Sequence, residues 1–484
     1  MLSRPPAAAL LAALLCADCG SGSSAPVPAA TQPAPAASTP ATVSLPAGDE
    51  NALLDAAFRV DIREVQATLD VYPDERRVDG RARLAFRMRP GQTRPLVHLD
   101  PATGGDWRGA LDGQPLTGSN PADARVVVFE SSSERAIEIQ RELTDGGEHV
   151  LEMAYRPLFT DGFGRFFTDV NDLAGNGNEA LWPTLNTPHE LARHVITLRV
   201  HSTRPYVGVG SALFERTGAT DAQEWRLDSE REVASYTLLF FLAPAADATV
   251  TERRVAGVDV RVLSPAGGPT AAEAFAQLEG WLPELDAAMG PFPMPRGLSL
   301  VLTPTGGGME YYGGSITSLR ALQHEVFHMY WGCSTVMRTY RDSWLDEAVN
   351  MWYELSKDPA FAPIEDSFRS DIVSARSPIG VGFDRRAYQE GAQVVQAIAR
   401  DLGSRDAAVA WLRQVHQQRS FAPFTTLDFA GFLRQDRGLD FTERLQRWLY
   451  SPAGTTTLGQ PPGPWEWIDQ VDTTPPEAVR RRYR

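Results

Sequence analysis

The stretch from His324 to Gly332 reads HEVFHMYWG, with two histidines four residues apart and a glutamate directly after the first. Residues four apart lie one above the other on an α-helix, so His324 and His328 can share one metal ion. Ser318, or Thr317 before it, is suited to cap the start of this helix. Apolar residues recur at helical spacing and are expected to bury the other face: Leu322, Val326, Met329 and Tyr330. On this spacing alone the stretch is either a zinc site or a buried core helix.

Glu347 is separated from His328 by eighteen residues and is the candidate for the third protein ligand that zinc requires. It lies in a second predicted helix, SWLDEAVNMWYELS, which is expected to pack inward through Leu345, Val349 and Trp352. Two neighbouring helices could bring this carboxylate beside the two imidazoles. Two histidines and one glutamate leave a fourth zinc position for water, which is typical of catalytic sites. Spacing alone leaves open that Glu347 is a solvated helix residue.

The first half of the chain, residues 51–248, alternates hydrophobic and polar residues with the period of strands. In RARLAFRMR, for example, one face carries Ala82, Leu84, Phe86 and Met88. Turn sequences such as YPDE separate these segments, so an N-terminal antiparallel, sandwich-like β domain is predicted. Residues 249–455 are mainly helical with a short buried strand, GLSLVLTPT, and residues 456–484 form a proline-rich C-terminal tail. The predicted fold class is therefore α+β multidomain.

The N-terminus, residues 1–19, has the pattern of an export signal, with one early arginine and an apolar run too short for a membrane-spanning helix. Cys16 and Cys19 close this run, so the leader resembles those of bacterial lipoproteins, although neither cysteine follows the small residue that the lipoprotein signal prefers. Residues 20–50, rich in Ala, Pro, Ser and Thr, cannot bury a core and are predicted to form a flexible tether. We therefore expect an exported bacterial protein that acts outside the cytoplasm, with Cys19 or Cys16 as the candidate for lipid attachment to a membrane.

Composition narrows the class of protein further. A chain of 484 residues is long enough for two or three domains with sizeable cores. The formal net charge of -15 argues against a nucleic-acid partner, because a phosphate-binding surface carries the opposite sign. Beyond the leader the sequence has one cysteine, Cys333, so the fold does not depend on an intramolecular disulfide. Cys333 is expected to be a small buried residue.

The motif HExxH, followed after eighteen residues by Glu in a WLxE context, resembles the zinc signature of the aminopeptidase N family of gluzincin metallopeptidases. Further landmarks are similar: GGMEYY at 307–312 resembles the Gly-x-Met-Glu-Asn strand of that family, and AYQEGAQVV around Tyr388 resembles its Tyr-x-Lys-Gly helix start. The resemblance covers about Ala52 to Gly454. It implies that a thermolysin-like, mainly α catalytic domain follows the N-terminal β domain.

The resemblance also implies a role for each residue of the zinc motif. His324, His328 and Glu347 would hold one Zn²⁺ per chain. Glu325 would act as the general base on the attacking water and pass the proton to the leaving amine. Tyr388 would donate a hydrogen bond to the developing oxyanion. The implied activity is the zinc-dependent hydrolysis of an amide bond.

The Met-Glu motif implies how a peptide substrate would be bound. Glu310 would hold the N-terminal ammonium of the peptide, and Met309 and Gly308 belong to the same substrate-binding strand. Such a contact would make the enzyme an aminopeptidase, because cleavage would be counted from the end of the peptide.

The sequence departs from the family pattern in the surroundings of the substrate. Tyr311 stands where the family has asparagine, and Glu390 stands where it usually has lysine. Only thirteen residues separate Glu310 from His324, fewer than in most relatives, so an edge strand or loop has been trimmed. An aminopeptidase acting on peptides is the first hypothesis, and a zinc peptidase of altered, endopeptidase-like specificity is the second. A catalytically idle surface binding protein is the third, and the retained ligands and base argue against it.

Overall fold

The structure of the protein is a computed structural model. It describes residues 59–98, 107–116, 124–129, 134–157, 181–185, 187–188, 190–218, 223–304, 306–338, 342–370, 372, 385–450 and 468–471. The predicted export signal and tether lie outside the described residues. Within the described ranges, no helix is both long and apolar enough to cross a membrane.

Strands make up the first half of the described chain. In chain order they are β1 (Val60–Tyr72), β2 (Arg77–Met88), β3 (Leu96–His98), β4 (Arg108–Leu111), β5 (Gln114–Pro115), β6 (Ala124–Phe129), β7 (Glu134–Ile139), β8 (Glu148–Tyr155), β9 (Leu191–Val200), β10 (Tyr206–Gly210), β11 (Leu213–Arg216), β12 (Glu224–Ala234) and β13 (Phe240–Pro244). An eight-stranded sheet has the order β11-β12-β9-β1-β2-β8-β4-β5, and β10 pairs with β13. The 3-10 turn Ser235–Thr237 lies between β12 and β13.

Burial in these strands follows the alternation of the sequence. In β2 the predicted inward residues are buried, while Arg81, Arg83 and Arg87 between them are exposed. Neighbouring strands of the large sheet are antiparallel with one exception, because β1 pairs with β9 in parallel. A hairpin imposes antiparallel pairing, whereas the long connection between β1 and β9 permits the parallel direction. The predicted antiparallel β domain is thus confirmed, and this one parallel pair is a detail that the sequence did not indicate.

The second half combines a five-stranded sheet with helices. Its strands are β14 (Ala248–Val255), β15 (Val258–Pro265), β16 (Leu298–Leu302), β17 (Gly308–Tyr311) and β18 (Gly314–Thr317), in the order β14-β15-β16-β18-β17. The helices are α1 (Ala271–Met289), α2 (Leu322–Phe327), α3 (Trp344–Leu355), α4 (Arg386–Asp401), α5 (Arg405–Arg419), α6 (Thr426–Arg437) and α7 (Thr442–Leu449). A capping box starts α1, in which Thr270 and Glu273 each accept a hydrogen bond from the backbone of the other. The predicted α+β fold class is confirmed.

The β domain holds the end of the edge strand β17 in place. Tyr312 follows β17, and its backbone N–H donates to the carbonyl of Thr237 at 2.7 Å. Its own carbonyl accepts from the N–H of Ala212 at 3.1 Å. Because both partners belong to the β domain, β17 has a defined position at the junction of the two halves.

The predicted C-terminal tail contributes a strand to the β domain. Its residues Ile468–Val471 form β19, which pairs antiparallel with β6. This strand completes a four-stranded sheet with the order β19-β6-β7-β3.

Candidate active site

The helix α2, which carries the first histidine, begins later than the sequence suggested. Its N-cap position is Ala321, which makes no side-chain capping bond. Thr317 lies in β18, and the hydroxyl of Ser318 donates to the carbonyl of Gly306 at 2.8 Å. The capping prediction for these two residues is therefore wrong, because a turn after β18 separates them from α2.

His324 and His328 face Glu347, as their predicted shared role requires. Nε2 of His324 lies 3.2 Å from Oε2 of Glu347, and Nε2 of His328 lies 3.5 Å from the same oxygen. One donor atom from each residue lies within 4.8 Å of those of the other two. His328 and Glu347 are buried, and His324 is partly buried. The two helices thus bring all three predicted metal ligands to one point.

The other nitrogen of each imidazole is held by a carboxylate of α3. Nδ1 of His324 lies 3.2 Å from Oε1 of Glu354, and Nδ1 of His328 lies 2.5 Å from Oδ1 of Asp346. The amide of Asn350 also donates to the backbone carbonyl of His324 at 2.9 Å. These contacts turn both Nε2 atoms toward Glu347, an arrangement that recurs around histidine ligands of zinc.

Sequence reasoning missed these three supporting residues of α3. Residues 347, 350 and 354 recur at i, i+3 and i+7, so they share one face of the helix. That spacing could have indicated that the helix face carrying Glu347 also carries the residues that contact His324. Asp346 precedes Glu347 directly, and no periodic pattern in the sequence marks it.

The electrostatics of this cluster fit a divalent cation. Burial lowers the pKa of His324, but hydrogen bonds to Glu347 and Glu354 outweigh it and raise the pKa to about 10. Burial also opposes the charged form of His328, yet Asp346 and other carboxylates raise its pKa well above the usual range. Without a cation, the buried carboxylates thus hold protons on both imidazoles. Two imidazoles and one carboxylate form a donor set that zinc accepts, and metal binding would release those protons.

Glu325 and Glu310 lie beside this donor set. Glu310, Glu325 and His328 each offer a donor atom within 4.8 Å of the other two. Burial is the main cause that raises the pKa of Glu325 to about 7 and that of Glu310 to about 8. Glu325 is buried, and its Oε2 has no hydrogen-bond partner within the described part of the chain. The two acids therefore lie together in a desolvated environment in which a proton or a cation would be stabilised.

Gly308 provides the space that Glu325 occupies. A Cβ atom at position 308 would overlap the Glu325 side chain. The backbone of β17 thus passes directly over the predicted general base. Strand alternation places Glu310 on one face of β17 and Met309 with Tyr311 on the other.

Tyr311 stands where the resembled family has asparagine, but it lies on the opposite face of β17 from Glu310 and leaves the position of Glu310 unchanged. Its ring is fully buried in a cluster with residues of β13 and of the five-stranded sheet. Met309 is exposed, and its role in substrate binding stays a prediction. A further aromatic residue, Tyr236, was not foreseen. Burial, followed by the charges of Asp346 and Glu310 among others, raises the pKa of Tyr236 well above the usual range.

Tyr388 lies in the first turn of α4 and contacts the first of the predicted metal ligands. Its ring centroid is 6.1 Å from that of His324, and the two ring planes are inclined by 28° to each other. Burial and a hydrogen bond to Glu347 raise the pKa of Tyr388 above its usual range, so it remains a donor. Gly391 lets α4 approach α3, because a Cβ there would lie 2.8 Å from that of Ala348.

Cys333 follows α2 and is buried, as predicted. Its backbone N–H donates to the carbonyl of His328 at 2.9 Å. Burial raises the pKa of its thiol well above the usual range, which disfavours the thiolate that a metal would bind.

Comparison with known proteins shows similarity at the level of structure. No family model and no curated protein sequence matches the chain. Solved structures do match, among them the M1 zinc metallopeptidase from Deinococcus radiodurans, with 18% identity, a TM-score of 0.60, and coverage of 83% of this chain and 96% of that one. Native yeast LTA4 hydrolase has 13% identity and a TM-score of 0.60, with coverage of 84% and 69%. Legionella pneumophila aminopeptidase A has 11% identity and a TM-score of 0.64, with coverage of 81% and 50%.

The fold of this chain is therefore the fold of M1 zinc metallopeptidases. The β domain followed by the mainly α half reproduces nearly the whole length of the Deinococcus enzyme.

Proposed function

We propose that this protein is a zinc-dependent aminopeptidase that removes N-terminal residues from peptides. The observation that carries the proposal is the convergence of His324, His328 and Glu347, with Glu325 and Glu310 beside them. The fold supports it, because similar structures include an aminopeptidase from Legionella and a Deinococcus enzyme solved with the substrate Tyr-Ser-Ala. An idle binding protein would have no need to keep a buried carboxylate next to the ligands.

The mechanism assigns one task to each side chain around the scissile bond. Bound zinc would polarise the substrate carbonyl and lower the pKa of the attacking water to about 7. Glu325 would take the proton of that water on Oε2 and deliver it to the leaving amine. The hydroxyl of Tyr388 would donate to the oxyanion of the transition state. Glu310 would pair with the α-ammonium of the substrate, which sets the position of the bond that is cleaved.

Metal content tests the foundation of this proposal. The purified protein is expected to contain one tightly bound zinc, and His328→Ala should lose it because two remaining ligands rarely retain the metal. Elemental analysis after dialysis measures both. His201→Ala is the matched control, since His201 lies in the β domain and contacts Tyr72 and Asp70. A wild-type protein without zinc, prepared with zinc present, would contradict the proposal.

Tyr388→Phe tests the oxyanion donor. The change removes one hydroxyl and little volume, so folding and zinc content should survive. We expect kcat to fall by about 10²–10³-fold with a much smaller change in KM, because the hydrogen bond forms mainly in the transition state. Tyr353→Phe is the control, as its hydroxyl donates to Glu284 at 3.0 Å, away from the ligands. An effect confined to KM would make Tyr388 a contact to the bound substrate instead.

An endopeptidase-like specificity is the second candidate. The short segment between Glu310 and His324 favours it, since β17 turns directly into β18 through Tyr312 and Gly313. β17 is an edge strand, and among the described residues no further strand pairs with its outer side, where an extended substrate could bind along it. Substrates with a blocked N-terminus distinguish the two specificities.

For the location of the protein, we propose export and attachment to a membrane through a lipid. The support is the N-terminal sequence, in which a short apolar run ends at Cys16 and Cys19 and a tether follows. Replacing both cysteines with serine should release the protein from the membrane fraction while export continues. Fractionation of cells that express each form measures this. Unchanged membrane association of the double variant would refute the lipid anchor.

A further inference from the structure

The helix α3 supplies more than the third ligand. Besides Glu347, it carries the carboxylates of Asp346 and Glu354, each in contact with Nδ1 of a different histidine. The two contacts are unequal. Asp346 lies 2.5 Å from His328, whereas Glu354 lies 3.2 Å from His324. Only 1% of the His328 side chain is exposed, compared with 15% for His324. The Asp346 contact is therefore shorter and more completely shielded from water.

A hydrogen bond to Asp346 is not needed to orient the His328 ring. The backbone carbonyl of Trp331 lies 3.1 Å from the same Nδ1 and can accept its proton. This carbonyl alone would keep the proton on Nδ1 and leave Nε2 free to bind a metal. What Asp346 adds is a negative charge at the rear of the imidazole. Such a charge raises the basicity of the nitrogen that binds the metal.

The loop after α2 is shaped to admit this carboxylate. Gly332 has a φ of +121°, a conformation that side chains strongly disfavour. A Cβ at this position would overlap the carboxylate of Asp346. Glycine is therefore required here for two reasons, the backbone conformation and the close approach of Asp346.

We propose that Asp346 is a positioning residue whose negative charge, in addition to its hydrogen bond, determines how tightly His328 holds the zinc. The inference rests on the proposed zinc site. It implies that the Asp346–His328 pair contributes more to zinc affinity than the Glu354–His324 pair. Asp346→Asn separates charge from shape, because the amide has nearly the same volume and its oxygen still accepts a hydrogen bond. Glu354→Gln makes the matched change at the weaker contact.

Competition with a zinc chelator measures the dissociation constant of each variant. Asp346→Asn is expected to bind zinc about 10–100-fold more weakly than the wild type, and Glu354→Gln less than about tenfold more weakly. Melting temperatures of the metal-free proteins provide a second readout. A merely structural role would lower the melting temperature of metal-free Asp346→Asn as much as that of its zinc-bound form. The proposal expects the zinc-bound form to lose more.

Gly332→Ala disturbs the contact between Asp346 and His328 from the side of the loop after α2. It is the alternative variant if Asp346→Asn does not fold. It should weaken zinc binding as well, whereas the control Gly257→Ala should not. Gly257 has a φ of +86°, and a Cβ added there would meet no atom within 4 Å. Gly257→Ala therefore strains the backbone, as Gly332→Ala does, but leaves the contact between Asp346 and His328 intact. Unchanged zinc affinity in Asp346→Asn, or an equal loss in Glu354→Gln, would overturn the inference. Absence of zinc from the wild-type protein would instead contradict the proposed function itself.

Discussion

Replacing Glu325 with glutamine is expected to leave zinc bound and to lower kcat by about 10²–10⁴-fold. Glutamine has nearly the same volume as glutamate but cannot take a proton from water. Glu325 is buried beneath the backbone of Gly308, and its Oε2 has no partner among the described residues. Burial raises the pKa of Glu325 to about 7 without a metal, and a divalent cation nearby would favour the ionised form that acts as the base.

The measurement is steady-state kinetics on an aminoacyl-amide, together with the zinc content of the variant. Glu443→Gln is the control, because Glu443 is an exposed residue in the first turn of α7. The same chemical change there should alter neither zinc content nor rate. A fully active Glu325→Gln that retains its zinc would show that another group accepts the proton, and the mechanism proposed here would be wrong.

The parts of the fold that follow simple periodicity could be predicted from the sequence. The alternation in β2 and the helical spacing in α3 both match the observed burial, including Leu345, Val349 and Trp352. These patterns are reliable because water contacts one face of an element and the core contacts the other. The convergence of His324, His328 and Glu347 could be predicted for a related reason. Two lie one helical turn apart, and a third suitable carboxylate was available in the next helix.

The remaining features depend on contacts between distant segments, which periodicity does not encode. The parallel pairing of β1 with β9 results from a long connection rather than a turn. Ser318 has the right side chain for a helix cap, but its hydroxyl bonds to Gly306 instead. Asp346 looks like an ordinary acid in the first turn of a helix, and only the structure shows that the backbone of Gly332 leaves room for its carboxylate beside His328. Each of these outcomes required knowledge of the neighbouring segment.

Acetylating the N-terminus of a peptide substrate is expected to reduce its cleavage by about 10⁴-fold, the discrimination typical of a site built around one polar group. Glu310 is the reason, because it lies within 4.8 Å of Glu325 and His328, measured between their donor atoms. Burial raises the pKa of Glu310 to about 8 in the absence of a ligand, so an unpaired charge is unfavourable there. A substrate α-ammonium would supply the missing partner, and an acetylated nitrogen would not.

Glu310→Ala should weaken cleavage of unblocked peptides by roughly 2–4 kcal/mol in kcat/KM, since the substrate ammonium would then lose its partner in desolvated surroundings. Glu252→Ala is the matched control, because β14 and β17 are the two edge strands of the same sheet and Glu252 is exposed. The variant should also lose most of the preference for free over acetylated peptides, because both substrates would then lack this contact. Tyr311 points into the core, so the trimmed segment is the remaining feature that could move Glu310 out of reach. If the wild-type enzyme cleaves free and acetylated peptides equally well, the aminopeptidase proposal fails and the endopeptidase-like specificity replaces it, while the zinc chemistry stands.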